Sequence, residues 1–142
     1  MLMYHMNMGY PLLTEKAVLQ IPSVRVEQGS AVVNGDQWKK LTKPQPNCPE
    51  VCYRHYYEGD GHASASIQNP DIGKGLRISF DPKDFPCLIQ WNKFACRDYA
   101  LGLEPRNFAN GGKAVARARG ELPILQPGQS KTYEVQVEFY CN

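Results

Sequence analysis

The chain has 142 residues, 42% of them hydrophobic and 21% charged, which suits one globular domain with a real core rather than a disordered segment. Its net charge is +2, and its only basic clusters, Lys39-Lys40 and Arg117-Ala118-Arg119, are too short for a nucleic-acid footprint, so both read as solvated surface. No apolar run reaches the ~18 residues that a membrane span needs, so neither a nucleic-acid nor a membrane partner is expected.

Eleven prolines and twelve glycines punctuate the chain and argue for many short strands and turns rather than long helices. The first residues, Met1 to Met6, lack the charged stretch and small-residue cleavage site of a signal peptide. Met1, Met3, Met6 and Met8 suggest a partly buried strand, and a chain that begins there fits a domain, 1–142, incomplete on its N-terminal side. Tyr4 to Leu13 reads as an extended stretch bending at Gly9 and Pro11. Val18 to Ile21 is the next apolar run, and Val24-Arg25-Val26 alternates as a strand does. Gly29 to Asn34 is ambiguous. Asp36 to Lys40 carries a tryptophan in a polar setting, and Thr42 to Pro49, with three prolines, is a loop.

Strands then follow regularly. Val51 to Tyr57 is aromatic and β-branched, Ala63 to Gln68 alternates, and Asn69 to Gly73 turns the chain. Leu76 to Phe80 has period two and is closed by the Asp81 to Asp84 turn. Cys87 to Trp91 is apolar with Gln90 inside it, and Tyr99 to Leu103 is apolar again. Lys113 to Arg119 contains good helix formers but is short for an independent helix, so a helix or an arm between strands fits equally. Leu122 to Gly128 is irregular. Thr132 to Tyr140 sets Tyr133, Val135, Val137 and Phe139 against Glu134, Gln136 and Glu138, the cleanest alternation in the chain. Strands at this spacing without interleaved helices predict an all-β fold, an antiparallel β-sandwich or part of one.

The five cysteines are odd in number and show no framework spacing, so they read as reduced thiols, which places the protein in the cytoplasm. Cys48-Pro-Glu-Val-Cys52 with His55 gives only three ligands and no second pair at finger spacing, so small apolar side chains are the better reading than zinc.

Four positions could carry chemistry. Glu104 follows an apolar run, where partial desolvation raises a carboxyl pKa toward that of a useful base; a surface glutamate at a strand end is the alternative. His5 lies among Tyr4, Met6 and Met8 and could exchange a proton near neutrality, or could be a core histidine bonded to a carbonyl. His55, between Arg54 and Tyr56, is either sugar-facing or an ordinary strand residue. Trp91, after Gln90, either stacks on a pyranose ring or packs in the core.

Read together, His5-Met6-Asn7-Met8-Gly9-Tyr10-Pro11-Leu12-Leu13, then Gln90-Trp91, then Tyr99-Ala100-Leu101-Gly102-Leu103-Glu104-Pro105, then Pro127-Gly128 before a strand, resemble the C-terminal part of an aldose 1-epimerase (mutarotase)-like protein. The resemblance runs from about His5 to Phe139 and is to the branch known as a domain of unknown function, DUF4432. It implies a sandwich of the galactose mutarotase-like supersandwich type and an isomerase that interconverts sugar anomers with an acid and a base. Neither a metal nor an organic cofactor is implied. Carried over, Glu104 is the base and His5 the acid, while Asn7, Tyr10, His55, Gln90, Trp91 and Asn107 position the sugar or sugar phosphate. Arg106 is larger than the resemblance leads one to expect, and would either clash or bind an anionic group. The upstream half of such a protein is absent here, which exposes strand edges and invites self-association. The competing expectations are a carbohydrate-binding module without turnover and a strand-edge interaction domain.

Overall fold

A computed structural model describes residues 1–59, 61–108 and 112–141. Among the described residues ten strands form two sheets: β1 (Met6–Met8), β2 (Val18–Gln20), β3 (Arg25–Gln28), β4 (Ala31–Val32), β5 (Val51–Tyr56), β6 (Ala63–Asn69), β7 (Lys74–Phe80), β8 (Cys87–Ala95), β9 (Asp98–Arg106) and β10 (Val135–Cys141). A 3-10 turn, Gln37–Lys39, and one short helix, α1 (Gly112–Ala118), complete the described elements. The larger sheet runs β1-β9-β8-β5-β3-β4 and the smaller β10-β7-β6-β2, with antiparallel pairing throughout both. This is the antiparallel all-β sandwich that the strand spacing predicts.

The alternation of each strand sends one set of side chains between the sheets. From the larger sheet come Met8, Val26, Leu88, Phe94, Leu101 and Leu103; from the smaller come Leu19, Ala65, Ile67, Leu76, Ile78 and Phe80. Phe85, in the link between β7 and β8, is fully buried and meets the rings of Tyr4, Phe80 and Tyr133. A fully buried Leu, Ile or Phe of this kind stabilises the fold by roughly 1.5–3 kcal/mol relative to leaving it exposed.

Several elements differ from their sequence expectation. Only Met6–Met8 of the first stretch is a strand; Gly9 ends it, a cis Tyr10–Pro11 bond follows, and the Leu13 amide donates to the Gly9 carbonyl at 2.8 Å. β8 and β9 are nine residues each, longer than the apolar cores that marked them. The strand expected at Thr132 to Tyr140 spans Val135–Cys141 instead, set by its pairing with β7 from Val135–Phe80 to Cys141–Lys74. The segment left open between helix and arm is helical.

Candidate functional site

The register of the larger sheet orders its outer face, the one turned away from the smaller sheet, into rows. Asn7, Gly102, Trp91 and Cys52 form one row across β1, β9, β8 and β5. The next holds Glu104, Ile89, Arg54 and Glu27, and the third Arg106, Cys87, Tyr56 and Arg25. His5, one residue before β1, enters this face at the Glu104 position.

His5 Nε2 lies 2.9 Å from Glu104 Oε1. The two residues are 99 positions apart in sequence and are brought together because the N-terminal segment pairs with β9 through Met6–Leu103 and through Tyr4 N–H donating to the Pro105 carbonyl at 3.0 Å. The Glu104 side chain is 5% exposed and that of His5 44%, so solvent reaches the pair from the imidazole side. Burial pushes the Glu104 carboxyl above its ordinary value, against the opposing pull of His5 and Arg106. The contact is close but poorly aligned, which leaves Glu104 Oε1 with no directed hydrogen bond.

Trp91 stands beside this pair. Its ring meets the His5 ring edge-on at 5.9 Å, and its indole N–H donates to Glu50 Oε2 at 3.0 Å, which fixes the plane of the ring. Gly102 makes the convergence sterically feasible: a Cβ at that position would stand 2.7 Å from Glu104 Oε1 and 3.2 Å from both Asn7 Oδ1 and Trp91 Cβ. An imidazole, a partly desolvated carboxylate, an amide and an indole therefore share one patch. That set can move protons at a hydroxyl beside an apolar stacking surface.

Other expected residues stand elsewhere. His55 and Gln90 project to the opposite face of their strands, into the core, and are fully buried. His55 Nε2 is 3.0 Å from Gln90 Oε1 and its Nδ1 3.0 Å from the Ser23 hydroxyl, while Gln90 Nε2 donates to the Trp38 carbonyl at 2.8 Å and to Asn92 Oδ1 at 3.0 Å. Their polar groups are satisfied internally, so they stabilise the sandwich rather than face a sugar. Tyr10 is 82% exposed in the turn after β1. Asn107 ties segments together, accepting from the Leu2 amide at 2.7 Å and donating to the Tyr133 hydroxyl at 2.8 Å. Arg106 lies on the site face beside Glu104, 7% exposed. The sequence names neither Glu50 nor Arg54 as a residue of this face, weighs Cys52 only as a metal ligand, and carries Gly102 only inside a motif. Strand parity counted from Glu104 was the one signal that could have found Gly102; Cys52 and Arg54 reach this face only through the register of β5 with β8.

The site is a sheet face rather than an enclosed cavity. The well-formed cavities lie elsewhere: about 410 Å³ near Asp81 and Glu134, about 770 Å³ near Val18 and Trp38, and about 420 Å³ near Leu12 and Phe139. On β5, Cys52 and His55 are on opposite faces, so the Cys48–Cys52–His55 grouping does not converge. Among the described residues no cluster of His, Cys, Asp and Glu could hold a metal, and no helix is long and apolar enough to cross a membrane.

No curated protein matches the chain. Among solved structures it is similar to a crystal structure from Klebsiella pneumoniae subsp. pneumoniae MGH 78578, described as a "putative aldose 1-epimerase", with a TM-score of 0.82 and 22% sequence identity. The match covers 96% of this chain and 37% of that one, so the present chain spans little more than a third of its structural neighbour. At this identity the likeness shows a shared fold. The profile of a family described as a domain of unknown function, DUF4432, matches residues 1–139, and the chain belongs to that family.

Proposed function

We propose that this chain carries the acid and base of an aldose 1-epimerase-like isomerase, one that interconverts sugar anomers by opening and reclosing the ring. The observation that carries the reading is the direct contact of His5 Nε2 and Glu104 Oε1, 2.9 Å apart beside Trp91 on one open face. The fold shared with the Klebsiella protein supports it. Since that chain is much longer, the remaining sugar contacts of an active enzyme would come from a part of the fold not present here.

In this mechanism Glu104 takes the proton from the anomeric hydroxyl. The C1–O5 bond breaks as His5 gives a proton to the ring oxygen, the open-chain aldehyde rotates about C1–C2, and the reverse transfers close the other anomer. The raised carboxyl pKa suits the base, because proton transfer is most efficient when donor and acceptor are close in affinity. The two groups touch, so the sugar sits over the pair and not between them, with an apolar C–H face against Trp91. Asn7 would hold a ring hydroxyl.

The test is the decay of optical rotation of freshly dissolved α-D-glucose and α-D-galactose, with and without the protein. The expected outcome is an acceleration that Glu104→Gln lowers by about 10²-fold or more, the usual size of a general-base contribution. Acceleration that survives Glu104→Gln removes Glu104 as the base. Sugar binding without acceleration in the unaltered chain favours the carbohydrate-binding module, a reading that the open geometry of the face also supports.

A further inference from the structure

The cavity of about 770 Å³ near Val18 and Trp38 has no part in those proton transfers. Its volume falls in the ~300–1,000 Å³ range of small-molecule sites. Leu19, Ile21, Pro22 and Trp38 give it apolar walls, and Ser23, in the link between β2 and β3, brings a hydroxyl to it.

That hydroxyl ends a buried polar chain. Ser23 Oγ lies 3.0 Å from His55 Nδ1, and His55 Nε2 lies 3.0 Å from Gln90 Oε1. Gln90 Nε2 donates to the Trp38 carbonyl at 2.8 Å and to Asn92 Oδ1 at 3.0 Å, so the oxygen of this amide is what faces the imidazole. The proton of the neutral ring therefore sits on Nε2, and Nδ1 is an acceptor to which the Ser23 O–H donates. Burial holds the His55 pKa at about 4, so the ring is neutral at ordinary pH. Backbone bonds hold the pair together: the Ser23 N–H donates to the Ile21 carbonyl at 2.8 Å, and the Val24 N–H donates at 3.0 Å to the carbonyl of Tyr56, next to His55 on β5. The Trp38 ring stands edge-on to the imidazole at 4.8 Å and 78°. A buried histidine needs a partner for each nitrogen, and any buried donor would serve Nδ1. A structural role does not call for a donor that also borders a cavity.

We propose that Ser23 is a nucleophile with His55 as its general base, and that the cavity takes uncharged esters with an apolar acyl group, which acylate Ser23. Ser23 Oγ attacks the ester carbonyl carbon as its proton passes to His55 Nδ1. The bond from that carbon to the leaving alcohol breaks, and the alcohol takes the proton away. Water then attacks the acyl-serine and gives a proton to His55 Nδ1; the acid is released and the proton returns to Ser23 Oγ. Nucleophile, base and a third group that orients the base follow one another as in other activated serines. Gln90 is uncharged and supports an imidazolium less than a carboxylate would, so the reactive class is activated acyl and phosphonyl donors.

The experiment is labelling of the full chain at neutral pH with an alkyl fluorophosphonate, the labelled residue being found by peptide mass spectrometry. Ser23 Oγ displaces fluoride from phosphorus, and its proton leaves through His55 to solvent. Ser64 lines the same cavity with no imidazole against its hydroxyl among the described residues, and serves as the internal reference. Labelling of Ser23 is expected to exceed that of Ser64 by about 10²-fold or more, the usual size of a general-base contribution, and to fall to the Ser64 level in His55→Gln. Hydrolysis of 4-nitrophenyl butyrate should fall in parallel in Ser23→Ala. Absence of label on Ser23, equal labelling of Ser23 and Ser64, or a rate unchanged by His55→Gln overturns the proposal. Should His55→Gln fail to fold, the ratio of Ser23 to Ser64 labelling in the unaltered chain decides alone. The outcome is independent of sugar anomerisation at Glu104, which lies on the opposite face of the larger sheet.

Discussion

Burial acts in opposite senses on two ionisable side chains of this fold. It holds the Glu104 carboxyl up, and it lowers the His55 imidazole from 6.5 to about 4. For His55 the cause is desolvation of the charged form inside the sandwich, only partly offset by the bond to Gln90. The unfolded chain therefore binds a proton there before the folded one does. Stability from this group is fully present above pH 6.5 and is lost as pH falls toward 4, by up to about 3 kcal/mol. His55→Gln, which cannot titrate, should lower stability at pH 7 yet reduce the further loss between pH 7 and pH 4, as read by urea unfolding at the two values. An equal loss in both proteins would mean that His55 is not buried and neutral. The same residue shows what the sequence hides. His55 and Gln90 are polar, so pattern leaves His55 open between a sugar-facing and an ordinary strand position, and the resemblance turns both toward the sugar. A buried polar residue can be placed only once its partner is known, and these two are partners across β5 and β8. His5 and Glu104 were legible through motif resemblance, because strand spacing says nothing of a pairing 99 residues apart.

At the scale of the element, the β8–β9 hairpin builds most of the site and was only half visible. Its apolar centres were read from the sequence, but its turn was not, since Cys96-Arg97 contains none of the glycine, proline or asparagine that usually announces one. Ala95 pairs with Asp98, so the turn is two residues, and Arg97 holds φ at +72°. A side chain in that region costs of order 1–2 kcal/mol, while glycine there carries a backbone entropy cost of roughly 0.5–1 kcal/mol. Arg97→Gly is thus expected to leave stability unchanged or raise it by up to about 1 kcal/mol. Arg97→Val should lower it, since a β-branched residue tolerates positive φ least. Thermal unfolding of the two variants checks this, and a Gly variant less stable than the Val variant would contradict it. Pro105 was a second obstacle to reading, because proline in a strand usually marks its end. In an antiparallel strand a residue's N–H and C=O point to the same neighbour. The Pro105 carbonyl accepts from Tyr4, so the missing N–H faces the short edge segment before β1 and the ladder to β8 continues to Arg106.

At the scale of the whole molecule, the all-β class was legible because alternation and turn residues suffice for it, whereas the mutual coverage of the sheets was not. In β10 the residues Val135, Val137 and Phe139 pair with Phe80, Ile78 and Leu76 and so share the core-facing side of the smaller sheet. Ile78 is fully buried, yet Val137 is 39% exposed and Phe139 78%. Val135 still packs against the core while Phe139 stands mostly in solvent, so the cleanest alternation in the sequence marks a face that is covered at one end only. Alternation records which side of a strand is apolar; it does not record whether anything lies opposite. The energetic consequence is a contrast between neighbours one strand apart. Ile78→Ala removes packed atoms from the core and should cost about 2–5 kcal/mol. Phe139→Ala removes a ring mostly in water and should stay within about 0.5 kcal/mol. Both are read by chemical unfolding of the full chain at two protein concentrations. A Phe139→Ala cost that approaches that of Ile78→Ala and grows with concentration would show that a second copy covers this face in solution. A small, concentration-independent cost would show that β10 stands uncovered, as the fold alone implies.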